Sequence, residues 1–394
     1  MKVIALLTAF ALIGFSWSGE LERLIEFALK NNPGLKSYEK TASAFKHRAK
    51  FSESLPNPQL SFALNNLDTE KYFPNKKNPM SSFGLYISQK YVLPVKRAKS
   101  SDIFIQRSSE VLVRQEKFKK ELIKKLKVQY WEFSYSFEME RILRDIEGEI
   151  KALIDITEEK YRYGKALLSD LILLKVELMK VEERLAKARR IRETSLERIY
   201  ALAGGEMELK GSELSTLDFL SEFDPERNVD VKLMKEQLKV VKKEIDRAKV
   251  EHYPDLFLSA GYGIRPDIPN LITLRVGLTL PVWKSKREDM LVLEKKERYD
   301  SKLFELEDVK LRIKGEYGAL YDSYRITSEI LNTVEKEIEE KRKEIEALLI
   351  AYEYEKTDIR DILRAYRFLW SLEFDRAKLI KELNQIVAKA EALQ

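Results

Sequence analysis

"VLPVKRAK" at 92–99 and "TLPVWKSK" at 279–286 decide how this chain is read, because in both an alternating apolar stretch ends on Leu-Pro-Val and gives way at once to lysines and a long charged segment. Proline cannot donate to a strand ladder and its φ is fixed near the helical value, so it can close a strand and open a helix in one step. Pro94 and Pro281 therefore mark passages from strand to helix. Pro58 and Pro254, each followed by one residue, then leucine and an alternating run, mark passages from helix to strand.

These pairs recur at an interval of about 190 residues, and so does a third, "YRYGKALLSDLILLKVEL" at 161–178 and "YEYEKTDIRDILRAYRFL" at 352–369. The chain reads as an internal duplication. Residues 19–203 form a first repeat, 204–228 a linker and 229–394 a second repeat. Each repeat runs amphipathic helix, strand, loop, strand, very long helix, short turn, long helix. The strands are expected near 59–66, 82–93, 255–264 and 272–280, and the helical hairpins near 95–203 and 282–391.

The strand assignments rest on a period of two. Leu60, Phe62 and Leu64 share one face of the first run, with Ser61, Ala63 and Asn65 on the other. Phe83, Leu85 and Ile87 oppose Gly84, Tyr86 and Ser88 in the second. In the fourth, Ile272, Leu274, Val276, Leu278 and Leu280 oppose Thr273, Arg275, Gly277 and Thr279. Such faces fit either a soluble sheet packed on helices or a transmembrane barrel with lipid outside and water inside. Tyr91, Tyr253 and Trp283 stand beside the proline junctions, where a membrane–water boundary favours amphipathic rings, and Lys96, Arg97, Lys284 and Lys286 are expected just beyond them in water.

Between 95 and 163, and again between 282 and 354, there is no proline and no clustered turn signal. About 70 residues at ~1.5 Å each make a rod on the order of 100 Å, which must pack on other rods. Leu171, Leu174, Leu178, Val181, Leu185 and Ala188 follow a 3,4 spacing. So do Ile362, Ala365, Leu369, Leu372, Arg376, Leu379 and Leu383, a coiled-coil seam with one polar interruption. At the turns joining the rods, Tyr161, Lys165 and Asp170 correspond to Tyr352, Lys356 and Asp361, with Arg360 and Arg364 only in the second copy. Acid, base and hydroxyl groups at a hairpin tip can close a ring between subunits, and carboxylate rings favour cations. The plainer reading of these residues is helix capping and solvated charge.

Composition narrows the function classes. Cysteine is absent, so disulfides, thiolate metal sites and a cysteine nucleophile are excluded. The formal charge of +6 arises from 71 basic and 65 acidic residues interspersed along the helices, a pattern of solvated faces that points to no nucleic-acid partner. Lys2, the apolar run that follows it and Ser16-Trp17-Ser18 make 1–18 a secretory signal, with no cysteine after it to carry a lipid. No other stretch approaches the run of about 18 apolar residues that a spanning helix needs, so a place in a bilayer would have to be taken by strands. Four strands cannot close a membrane barrel, and an open edge in lipid leaves backbone groups unpaired, so two or more chains must contribute.

The duplicated order, together with "NPQLSF", "LPVKRAK", "LPVWKSK" and the two tyrosine-lysine tips, resembles the TolC-type outer-membrane efflux protein family over essentially the whole mature chain. The Leu-Pro-Val-basic junctions resemble the branch associated with heavy-metal and multidrug pumps. The resemblance implies a mainly α chain with a transmembrane β portion: a homotrimer whose twelve strands form one outer-membrane barrel, continued by an α-helical coiled-coil barrel across the periplasm of a diderm bacterium. It implies docking to a periplasmic adaptor and an inner-membrane pump, and passive export of small molecules, metal ions or drugs. It places Asp170 and Asp361 at the periplasmic aperture and 204–228 near the equator of the helical barrel. Glu355 where copy one has Gly164, and Arg364 where some relatives carry an acid, depart from the family pattern.

Nothing in the sequence asks for a cofactor, a resident metal or catalysis. His47 and His252 both fall near helix ends before a proline, and neither G-x-S-x-G nor H-E-x-x-H occurs. The alternative is a secreted coiled-coil scaffold or periplasmic adaptor with a small soluble sheet.

Overall fold

The computed structural model describes residues 19–394 apart from 68, 70, 71, 212, 213, 221 and 267; the expected signal at 1–18 lies outside the described residues. Helices α1 (Gly19–Asn31) and α2 (Pro33–Glu53) lead into strands β1 (Gln59–Asn65) and β2 (Ser82–Tyr91). Helices α3 (Pro94–Arg162) and α4 (Leu168–Ala203) follow. After the linker come α5 (Val229–Lys249), β3 (Leu256–Ile264), β4 (Leu271–Leu278), α6 (Glu288–Glu353) and α7 (Ile359–Leu393). No helix among the described residues is long and apolar enough to cross a membrane.

The chain divides into two compact units, each drawing on both sequence copies. One comprises Lys36–Lys117 and Glu226–Arg312 and holds the sheet. Its strands lie in the order β1-β2-β3-β4, every neighbouring pair antiparallel, so among the described residues β1 and β4 are free edges. The copies meet in the middle of this sheet, where β2 pairs with β3 and Ile87 stands opposite Ala260. Helices α2, α3 and α5 pack there through Phe45 on Phe104, the Ser108 hydroxyl donating to the Ala42 carbonyl at 2.9 Å, and the Arg107–Glu244 pair at 2.9 Å.

Pro94 opens α3 directly, but Pro281 does not open α6: a turn and a short 3₁₀ segment at Lys284–Lys286 intervene, and the helix begins at Glu288. The reason is electrostatic. Cations in a first helical turn oppose the helix dipole, and acids suit it, so α6 starts at Glu288 and Asp289 rather than among Lys284, Lys286 and Arg287. In copy one the first-turn Lys96 is neutralised, its Nζ lying 2.9 Å from Asp255 and 3.2 Å from Glu251. Lys96 is therefore only 3% exposed, and the expectation of a boundary lysine standing in water fails for it.

The second unit comprises the described chain from Gly19 to Leu35 with Phe118–Pro225 and Ile313–Gln394. Its core is a set of helical seams. Leu143, Ile146, Ile150 and Leu153 of α3 meet Leu174, Val181 and Ala188 of α4 and Ile362, Leu363 and Trp370 of α7. Ala365, Leu369 and Leu372 face Ile338 and Ile345 of α6. Short helix α1 packs Leu21, Leu24 and Ala28 on Leu126, Tyr130 and Ile199. Arg376, expected within the seam, lies at its flank bonded to Glu335 at 3.1 Å; beside it Ala377 and then Ile380 turn inward and carry the packing on to Leu383 and Val387. The linker runs along α6 over an aromatic ladder, with Phe219 against Tyr317, Tyr321 and Tyr324 and Phe223 stacked on Tyr317 at 4.1 Å. Asn384, fully buried, holds it by accepting from the Leu217 N–H at 2.9 Å and donating to the Ser215 carbonyl at 2.8 Å.

Candidate functional site

Two regions carry the chemistry, one in each unit. In the sheet, register and alternation sort the side chains into two faces, with Phe257 and Leu271 as apolar exceptions on the polar one. Leu60↔Ile87, Phe62↔Leu85 and Leu64↔Phe83 across β1–β2 continue as Leu85↔Tyr262 and Phe83↔Ile264, then as Tyr262↔Ile272, Ala260↔Leu274 and Leu258↔Val276. That face is apolar across all four strands. No helix among the described residues covers it: Phe62 is 80% exposed, and Ile272, Leu274 and Val276 are 75%, 75% and 76% exposed. Bare apolar area of this kind, contiguous across four strands, marks an interface with lipid or protein. A soluble sheet packed on its own helices would show the reverse.

The opposite face carries Ser61, Asn65, Ser82, Tyr86, Ser88, Ser259, Thr273 and Arg275 among glycines. Tyr86 lies flat upon it because Gly84 and Gly261 leave room: a Cβ on either would sit 2.4 or 2.3 Å from the ring. The Asn65 amide donates to the Tyr86 oxygen at 2.8 Å and to the Ser82 hydroxyl at 3.2 Å. Lys90, at the end of this face, pairs with Asp255 at 3.0 Å. Pro58 and Pro254 stand just before β1 and β3, Pro94 and Pro281 beyond β2 and β4.

In the other unit the two hairpin turns are built alike. Helices α3 and α6 end with the N–H of Lys165 bonded to the Lys160 carbonyl and that of Lys356 to the Ala351 carbonyl, over a residue of positive φ, Gly164 at 73° and Glu355 at 61°. This is the Schellman arrangement, which favours glycine at the left-handed position. Glu355 bears the strain of an L side chain there, of order 1–2 kcal/mol, and its carboxylate meets Lys165 of the other hairpin at 2.6 Å.

The equivalent acids Asp170 and Asp361 are both the third residue of their helix, yet their surroundings differ because of the residue three before. At α4 that residue is Leu167, which has no side-chain acceptor, so Asp170 reaches back and accepts the Leu167 N–H at 3.3 Å. Arg360 of the other hairpin lies 3.4 Å from the same carboxylate, and Asp170 is 8% exposed. At α7 Asp358 caps the helix by accepting from the N–H groups of Arg360 and Asp361 at 2.8 and 3.1 Å. Asp361 is thus left half-exposed beside Thr357 and Arg364, each at about 3.3–3.4 Å.

The tyrosines also part company. Tyr161 is exposed, whereas Tyr352 is packed in the core with the Lys160 ammonium 3.9 Å above its ring, and burial pushes its phenol up. Lys356, Arg360 and Arg364 remain at the surface. Of the expected tip residues the structure therefore brings Asp170 and Arg360 together across the hairpins, and Asp361 with Arg364 along one helix.

Sequence reasoning passed over a further tie between the hairpins. The Arg367 guanidinium donates twice to one Glu177 oxygen, at 2.5 and 3.2 Å, and Lys180 lies 3.3 Å away. Burial alone would raise this carboxyl, but Arg367 and Lys180 outweigh it and hold the group below the usual carboxylate range. The signal was present: Glu177 falls three residues after Leu174 and four before Val181, at the margin of the seam, where a charge requires a partner.

No protein-family profile matches the sequence, and no curated protein sequence does either. Solved structures match it. The chain superposes on that of the CusC transmembrane channel with a TM-score of 0.78 at 13% identity, over 95% of this chain and 92% of that one. The OprN outer-membrane channel gives 0.77 at 16% identity, over 95% and 89% of the two chains. The outer membrane protein VceC from Vibrio cholerae gives 0.75 at 14% identity, over 95% and 96%. This chain has the fold of those proteins, a mainly helical chain with four strands in one antiparallel sheet.

Proposed function

We propose that the chain is one subunit of an outer-membrane exit duct in a diderm bacterium. Three copies each contribute four strands to one twelve-stranded barrel, and their hairpins form a helical conduit reaching into the periplasm. The observation that carries this reading is the sheet with one bare apolar face, one polar face and two free edges, in a chain that offers no spanning helix among its described residues. Because the strands alternate in direction, β4 of one copy meets β1 of the next antiparallel, and the closed ring satisfies every edge as lipid requires. The channel subunits that share the fold favour this reading over a soluble scaffold, whose sheet would need a cover of its own.

In this account the duct does no chemistry. It holds a water-filled path, and the tip formed by Asp170, Asp361, Tyr161, Lys165, Lys356, Arg360 and Arg364 sets its periplasmic aperture. A periplasmic adaptor and an inner-membrane pump supply the solute and open the tip by drawing the hairpins apart. The ties Lys165–Glu355, Arg360–Asp170 and Arg367–Glu177 are the contacts that such opening would have to break or carry along. The test is single-channel current from detergent-extracted protein in a planar bilayer. Discrete, long-lived conductance steps that change in selectivity when Asp170→Ala and Asp361→Ala are combined support the reading. Protein that stays soluble without detergent and gives no steps would remove it.

A further inference from the structure

The polar face of the sheet holds one charge that the structure leaves unanswered. Of the charged side chains on the strand residues of that face, Lys90 and Arg275, Lys90 is paired with Asp255, whereas the Arg275 guanidinium meets no carboxylate among the described residues. Its neighbour is an aromatic platform: the guanidinium carbon lies 5.8 Å from the centroid of the Tyr86 ring. That platform is constructed, since two glycines clear the space for the ring and Asn65 holds its oxygen. Arg275 sits opposite Ser259 near the middle of the β3–β4 ladder.

We propose that Arg275, repeated once per copy around the closed barrel, forms an anion site in the outer section of the duct, taking multivalent oxyanions and other anionic solutes. The proposal rests on the duct reading, because it is closure that turns the polar face into a lumen wall and one arginine into a ring. Rings of arginine select anions in pores, and a guanidinium within cation–π reach of an aromatic face, with no carboxylate beside it, leaves its donors available to oxyanions.

The experiment is block of single-channel current by inorganic triphosphate added to one compartment. Wild type should be blocked from the barrel side at lower concentration than from the tip side. Arg275→Gln should raise the half-blocking concentration from the barrel side about tenfold or more while conductance steps persist. Arg275→Lys, which keeps the charge and loses the forked donors of the guanidinium, should fall between the two. Wild-type channels showing no block from the barrel side, or equal block of wild type and Arg275→Gln, would overturn the proposal and leave the duct standing. Absence of conductance steps in wild type would overturn both.

Discussion

Replacing Arg367 by methionine should loosen the paired hairpins at their shared tie by about 2 kcal/mol, from a starting figure of about 3–5 kcal/mol for stripping one partner from a buried ion pair. Two features lower that figure. Arg367 is itself 44% exposed, and Lys180 stays within 3.3 Å of the carboxylate that Arg367 leaves behind. Glu177, at 5% exposure, nevertheless loses its two guanidinium bonds with little water to replace them. A change of about 2 kcal/mol is roughly thirtyfold in an opening equilibrium. Hydrogen exchange by mass spectrometry on the intact, detergent-extracted protein reads it directly, in peptides covering 171–185 and 359–372, whose exchange should quicken by that factor at pH 7.

The sign with pH follows from the depressed carboxyl. In wild type the tie contributes stability above the unfolded glutamate value of about 4.3 and loses it as pH falls through the lower folded value. In Arg367→Met only Lys180 is left to oppose burial, so the carboxyl lies higher than in wild type, the variant takes up its proton earlier and its deficit narrows as pH falls. Combining Glu177→Gln with Arg367→Met should recover most of the protection, because no charge is then buried. Exchange within threefold of wild type at pH 7, or a double variant as labile as Arg367→Met, would refute the reasoning.

Leu274→Arg, on the apolar face, should cost about 2–4 kcal/mol of stability in lipid and lower the yield folded in vesicles, while Thr273→Arg next to it should be tolerated; equal yields would contradict the assigned faces. Gly261→Val should displace the Tyr86 ring, since even a Cβ falls 2.3 Å from it, and Tyr86→Ala in the same chain should restore folding yield. Asp170→Ala should cost about 1 kcal/mol, by loss of a reach-back bond and the Arg360 contact, seen as faster exchange at the start of α4. Asp361→Ala should leave exchange there unchanged and alter ion selectivity instead.

The strands were legible because alternation with β-branched and aromatic residues has no other explanation in Leu60–Leu64 or Ile272–Leu278, and the tips because their residues recur in order. What could not be read was which side chains spend their charge inside the chain. Lys96 looked like a boundary lysine beside Arg97, but its partner Asp255 is 159 residues away in sequence and arrives only when β2 pairs with β3. The difference between Asp170 and Asp361 was within reach of capping rules, since leucine at 167 cannot do what aspartate does at 358. Tyr352 was indistinguishable from Tyr161 until Lys160 was placed over its ring. Arg376 kept the heptad spacing, yet a guanidinium beside an alanine is turned outward, and Ala377 takes the inner place at the cost of one step in the pattern.

The central claim is that separate copies join edge to edge through β1 and β4, and a chain without cysteine allows a direct test. Cysteine pairs placed along the two edges, beginning with Ser61→Cys and Thr273→Cys and scanned in register, are oxidised in membranes and run without reductant. Within one chain these edges are three strand spacings apart, about 14 Å, beyond the roughly 7 Å that a disulfide can bridge. The account predicts a register at which bands of two and three linked chains appear and none larger; no cross-linked band at any register would contradict it.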